Sequence, residues 1–271
     1  MNTSYSVLAT ASAYPSDPRT FTFTLVCQEQ APVHVRVLKR LQRRFKSSLM
    51  RVLNFAKHET LRKMHRYLHS HRALMGQEEH ADAVRITFNR DELTQDLQSL
   101  LYSEMPGMLS QSAGAALPPQ DVLDFISRRQ ELLSGLPEEL YQRVLGEISD
   151  GLTAGESLAD LSNRINQVFT DIEAGTADVI ADTETAAAFN YATNNAARTA
   201  GVQFKQWVHG GSAVPREDHL AIDGLIVPFN EPFPVGNPPL MYPHDPGGSP
   251  DDVINCSCVS LPATADQYDR Q

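Results

Sequence analysis

At 271 residues, 41% hydrophobic and 21% charged, the chain is long enough for one large or two ordinary domains, each with a real core. It has no run of about 18 apolar residues, which excludes a membrane-spanning helix. Its three cysteines are too few and too odd in number for a secreted disulfide scaffold, and its N-terminus lacks the basic start and apolar stretch of a signal peptide. The expectation is a protein made and assembled in a reducing cytoplasm.

The net charge of −10 is unevenly spread. Residues 34–72 hold twelve Lys or Arg and one acid, Glu59, for a local net of +11, so the remainder carries −21. One reading is a solvated helix face that happens to be basic. The other is an arm reaching for something acidic, either packaged DNA or an acidic face of a protein ring. Arg36, Lys39, Arg40, Arg43, Arg44, Lys46 and Arg51 are the contact candidates on that reading. His34, His58, His65, His69 and His71 read as polar-face residues rather than ligands.

Residues 1–33 read as a polar leader followed by a short strand. Phe21, Phe23 and Leu25 alternate with Thr20, Thr22 and Thr24, the period of a half-buried strand, and Cys27 at its end reads as a buried thiol. From Val35 to about Arg72 neither proline nor glycine interrupts. Leu38, Leu41, Phe45, Leu49, Val52 and Ala56 form one apolar stripe and Leu61, Met64 and Leu68 another, predicting one long helix or two shorter ones. Residues 34–118 are grouped as a basic helical region and linker. Within them, 83–88 suggest a strand, 91–101 a helix, and Leu109–Pro119 a linker at the main domain boundary.

Residues 119–200 read as helices. Val122, Phe125, Leu132 and Leu133 line one side of the first, and Pro137-Glu138-Glu139 opens the next, since Pro suits a first turn and acids favour its positive end. Ser157 and Asp160 form an acidic capping box ahead of Leu158, Leu161, Ile165 and Phe169. An alanine-rich helix then ends at Gly201. After it the chain changes character. Strands are predicted in 202–208, 225–229 and 259–261, separated by a turn at His209–Ser212 and by seven prolines that stiffen the loops. The fold class is α+β, a mainly helical scaffold with a small irregular β-containing C-terminal cap.

Such irregular sequence rarely folds on hydrophobic burial alone, yet the cap gathers one order of unusual residues. Trp207 is followed by R-E-D-H at 216–219, A-I-D-G at 221–224, two Pro-Phe steps, P-H-D-P at 243–246 and N-C-S-C at 255–258. Three chemical readings of these residues stand side by side. The first is a zinc site from His219, Cys256 and Cys258, with Asp223, Asp218 or His244 as fourth ligand; the C-x-C spacing is less common for zinc than C-x-x-C. The second is a polar network in which Arg216 bridges Glu184, Asp218 or Asp223 and holds the cap to the alanine-rich helix, with the cysteines as small buried fillers. The third is a Cys-His nucleophile pair with an acidic orienter, although no glycine-rich nucleophile turn, P-loop or G-x-G-x-x-G pattern accompanies it. A Cys256–Cys258 disulfide would be strained. Trp207 reads as the core anchor beneath the cap, and Gly224 as a turn residue at positive φ.

The order and spacing of these residues resemble the C-terminal domain of the Mu F-like phage head morphogenesis, or minor capsid, proteins. In that family a Trp precedes an R-x-x-H or C-x-x-C pair, then L-D-G, a P-x-x-x-P-F stretch, a Pro-rich turn and a closing N-C-R-C. Here Arg216 and His219 stand for the pair, Ile222-Asp223-Gly224 for L-D-G and Asn255-Cys256-Ser257-Cys258 for the closure. Thr183-Glu184 matches the family's T-E, with Asp182 where Arg is usual, and 154–161 match a helix opening. The resemblance covers roughly residues 119–262, within a Mu F-like domain at 119–271 made of helices at 119–200 and the cap at 201–262. It implies a non-enzymatic minor head protein of a tailed phage or prophage. The implied partners are the portal ring, other capsid proteins and packaged double-stranded DNA, with no membrane. The implied location is the capsid interior near the portal vertex, after assembly in the host cytoplasm. Members with C-x-x-C at the pair position resemble four-cysteine zinc sites, whereas Arg216 cannot be a ligand because guanidinium stays protonated. The alternative from another class is a Cys-His hydrolase or toxin-like effector carried in the particle.

Overall fold

The computed structural model describes residues 6–9, 21–24, 31–71, 87–114, 117–212 and 214–271. In chain order the elements are β1 (Ser6–Ala9), β2 (Phe21–Thr24), α1 (Ala31–His71), α2 (Arg90–Ala113), α3 (Pro119–Leu133), α4 (Gly135–Thr153), α5 (Leu158–Asp171), α6 (Ala177–Thr199), β3 (Phe204–Val208), α7 (Glu217–Ala221), β4 (Ile226–Pro228), α8 (Pro250–Val253), β5 (Val259–Ala263) and α9 (Ala265–Tyr268). The fold is α+β and mainly helical, with a three-stranded antiparallel sheet of order β4-β3-β5 near the C-terminus. The Phe/Thr alternation does form a strand, β2, paired antiparallel with β1 in the leader with Ser6 opposite Thr24. Cys27 and residues 83–86 of the expected second strand lie outside the described residues.

The basic stretch is one helix, α1, rather than two. Leu38, Leu41, Phe45, Leu49, Leu53, Met64 and Leu68 are its buried apolar residues. The stripe therefore continues through Leu53, while Val52, Ala56 and Leu61 are only half-buried. Helix α2 departs from expectation: it runs through Pro106 and through the stretch read as a linker to Ala113, and Gly114 follows at φ +70°. Burial of Met105, Met108 and Leu109 outweighs the weak local propensity there.

Close contacts divide the chain into two units that interleave its segments. One comprises residues 44–104 and 126–181. Here α4 and α5 pack at Gly151, where a Cβ would stand 2.4 Å from Leu161 Cδ2. The expected capping box opens α5, with Asp160 N donating to Ser157 Oγ and Ser157 N to Asp160. A π-helical turn at Ile172–Thr176 follows α5 directly.

The other unit comprises residues 1–43, 105–125 and 182–271. Its floor is α6, where Ala186, Ala187, Ala188 and Ala192 are buried and let the sheet approach closely. Leu38 of α1, Ala186 and Phe189 of α6, and Val259 and Leu261 of β5 form one core cluster. A second cluster lies within the cap and joins Trp207, Phe233, Val235, Leu240, Cys256 and Cys258. Strand β3 is central, and its middle residues Lys205, Gln206 and Trp207, which point to alternate faces, are buried. Lys205 is among them and is only 1% exposed.

Lys205 was not singled out by the sequence, although the period of two places it on the same strand face as Trp207. Its Nζ donates to the Met241 carbonyl at 2.6 Å and lies 5.2 Å from the Phe233 ring centroid. Burial lowers its pKa to about 8, with Asp245 opposing the shift and Arg198 assisting it. A lysine depressed in the folded state makes the unfolded chain the better proton binder between about 8 and the ordinary value near 10.4. Stability is therefore expected to rise with pH across that window, by up to about 3 kcal/mol at about 1.4 kcal/mol per unit. Urea unfolding at pH 7, 8, 9 and 10, comparing the wild type with Lys205→Met, checks this. A pH slope that survives in the variant would assign the effect to another group.

Candidate functional site

The site is assembled by three loops of the cap converging on the end of β3. Trp207 on β3 donates its N–H to the Leu225 carbonyl and accepts from Gly224 N at 2.9 Å, a reversal that needs Gly224 at φ +86°. Asp223 sits beside this turn and accepts the His209 N–H at 2.8 Å. Gly210 then passes against the N-C-S-C segment so closely that a Cβ would stand 1.8 Å from the Ser257 carbonyl oxygen. The short helix α7 begins at Arg216 and carries His219 in its last turn.

His219, Cys256 and Cys258 are brought together. They are 2%, 4% and 2% exposed, and one ligand atom from each lies within 4.8 Å of the other two. His219 Nδ1 is 3.5 Å from Cys256 Sγ and 3.8 Å from Cys258 Sγ, and both cysteines are free thiols. The Cys258 N–H points at Cys256 Sγ at 3.4 Å. Trp207 closes the site from one side, with its ring edge-on to His219 at 5.2 Å between centroids and to Phe233 at the same distance.

The two thiols ionise as a pair. The Cys256 thiol is pushed well down by its hydrogen bond with Cys258, against burial and with help from His219 and His244. Cys258 is pushed up by that same partner and by burial, while the Gly210 N–H and the Trp207 indole oppose the rise. One sulfur thus carries charge readily, and the second resists ionising unless a cation compensates it.

The named alternatives for a fourth ligand separate. Asp218 accepts the His219 backbone N–H at 2.9 Å and forms, with His219 and Asp252, a second and more exposed grouping. Asp223 is engaged by His209. His244, 2% exposed, donates from Nε2 to the Cys256 carbonyl at 2.8 Å, and its Nδ1 is buried with no partner.

Arg216 donates from Nη2 to the Ile254 carbonyl at 2.7 Å, so it fastens α7 to the loop that leads into N-C-S-C. Glu184 is buried on α6 at 2% exposure. Its neighbour Thr183 accepts the Asn255 N–H at 2.9 Å, and Asn255 takes φ +54°. Asn190, about two turns further along and fully buried, donates from Nδ2 to the Cys258 carbonyl at 3.1 Å and accepts from Ser260 N at 2.9 Å. Thr183 and Asn190 therefore clamp the two ends of the cysteine segment onto α6. Asn190 was missed because it lies among N-Y-A-T-N-N in a helix, where an asparagine usually faces water.

The basic helix is partly neutralised within the unit formed by 44–104 and 126–181. Arg44 pairs with Glu104 at 3.0 Å and Lys57 with Glu173 at 3.3 Å. Lys63 pairs with Glu92 at 3.0 Å, and Lys46 with Asp178. Arg51 donates to Ser48 Oγ at 2.8 Å. Arg36, Lys39, Arg40 and Arg43 remain exposed along one stretch of α1. His58, His65 and His69 are exposed, as a polar-face reading requires, and His65 meets Ser162 Oγ at 2.9 Å.

Residues 142–261, which include the helical floor, nearly all of the sheet and the clamped N-C-S-C loop, match the family described as Phage Mu protein F like protein. An uncharacterized protein of Bacillus subtilis (strain 168), YqbB, is similar at 27% identity over 146 residues, 52% of this chain and 47% of that protein. The chain thus matches about half the length of this relative. No solved structure matches. Among the described residues, no helix is long and apolar enough to cross a membrane.

Proposed function

We propose that this chain is a minor head protein of a tailed phage or prophage, bound at the portal vertex and acting in head assembly or genome delivery. The observation that carries the reading is the family match over 142–261, which spans every element that clamps the cysteine segment: Thr183 and Asn190, Trp207, Arg216 and His219, and Asn255 to Cys258. A site whose histidine and thiols are all at most 4% exposed serves architecture better than turnover, because no substrate reaches it without the cap opening. The 3.5 Å Cys256–His219 contact is the one feature that favours the second reading, a Cys-His hydrolase or effector carried in the particle.

Docking falls to the stretch of α1 that carries Lys39, Arg40 and Arg43, since these cations are exposed whereas Arg44 and Lys46 pair with acids of their own chain. Co-expression with the portal protein of the same genome, followed by size-exclusion chromatography with light scattering, tests this. Co-elution at defined stoichiometry is expected, and the triple variant Lys39→Glu/Arg40→Glu/Arg43→Glu is expected to lose it. A folded wild-type monomer that elutes apart from the portal refutes the portal assignment. If duplex DNA is the partner of these cations instead, binding is steeply salt-dependent and indifferent to sequence.

A further inference from the structure

We propose that Cys256, Cys258 and His219 hold a structural zinc-class cation that pins the cap. The first support is geometric. A tetrahedral zinc ion has bonds of about 2.3 Å to sulfur and about 2.0–2.1 Å to nitrogen, so its sulfur–nitrogen edges are about 3.6 Å. The two edges from His219 Nδ1 are 3.5 and 3.8 Å.

The second support is the state of the surrounding donors and acceptors. A backbone N–H faces Cys256 Sγ, from Cys258 at 3.4 Å. This fixed dipole stabilises a thiolate, the form a metal requires. The Cys256 carbonyl can only accept, so His244 Nε2 carries the proton of that 2.8 Å contact and Nδ1 holds a free lone pair. Among the described residues of the cap, Trp207 Nε1, His219 Nε2, His244 Nδ1 and Ser257 Oγ are all buried without partners, an unusual concentration of orphaned polar atoms around the cysteines.

The third support is charge. Two thiolates, a neutral imidazole and one divalent ion sum to zero, which suits a site walled by Trp207, Phe233, Val235 and Leu240. Thiolate and imidazole donors favour zinc over magnesium or calcium. The ion explains how a loop-rich cap with so little core holds together.

The test uses the full chain purified without chelator. Elemental analysis is expected to find about one zinc per chain, with the metal lost in Cys256→Ser, Cys258→Ser and His219→Ala. Because unfolding of those variants would also release the metal, the wild type is reconstituted with cobalt as well. Thiolate-to-cobalt charge-transfer absorption and intense tetrahedral ligand-field bands are expected. Chelator should lower the melting temperature and expose both cysteines to a thiol reagent. A folded chain that holds no metal, and whose melting and thiol labelling ignore both zinc and chelator, overturns the proposal.

Discussion

Replacing Asn190 with alanine is expected to destabilise the cap by about 3–5 kcal/mol, the sum of stranding two buried backbone groups and opening a small void. The side chain acts as a surrogate strand. Its Oδ1 accepts from Ser260 N at 2.9 Å and its Nδ2 donates to the Cys258 carbonyl at 3.1 Å, while a further bond to the Ala186 carbonyl at 3.0 Å holds the amide in place. Strand β5 pairs with β3, and Asn190 satisfies backbone groups at its start from the side of α6. None of these groups reaches water: Asn190 is fully buried, Cys258 2% exposed and Ser260 4% exposed. Trp207, the chain's sole tryptophan and itself fully buried in the cap, reports unfolding by fluorescence. A loss below about 1 kcal/mol in urea titration would mean the helix and β5 are not clamped here. Asn190→Asp keeps the acceptor and loses the donor, so it is expected to be damaging as well.

Gly210→Ala is expected to be as severe, at about 3 kcal/mol or more, for a purely steric reason. The added Cβ would meet Ser257 at 1.8 Å from its oxygen, 2.6 Å from its carbonyl carbon and 2.9 Å from its Cβ. The first two are backbone atoms that cannot rotate away, so the turn must retreat from the cysteine loop. Retreat also withdraws the Gly210 N–H from Cys258. The adjacent Gly211 supplies the control. Nothing lies within 4 Å of its Cβ position, but it holds φ +76°, so Gly211→Ala is expected to cost only about 1–2 kcal/mol of backbone strain. Thermal melts of the two variants, followed through Trp207, separate contact from conformation. Equal, mild losses would show that the turn and the loop can move apart freely.

The same contrast between near and far runs through the comparison of sequence and structure. Helix α1, the Ser157–Asp160 box, the strand at 204–208 and the Gly224 turn were legible because each depends on residues a few positions apart. The Trp207, Arg216–His219, Asp223-Gly224 and Asn255–Cys258 order carried the family resemblance, and His219 does meet both cysteines. The linker read at 109–119 differed because proline and glycine content is a local signal, whereas buried Met105, Met108 and Leu109 keep α2 helical to Ala113.

By itself, then, the sequence determined the fold class, the helical periods and the set of residues around which the cap is built, since periodicity, capping and turn chemistry are short-range effects. Only the tertiary structure decided which partners those residues take. It paired Arg44 with Glu104 sixty positions away and set Asn190 against Cys258 across sixty-eight. It put Lys205 between aromatic rings and turned His244 toward the cysteine loop. Those outcomes depend on where distant segments cross, and burial then fixes the value of every polar group caught between them.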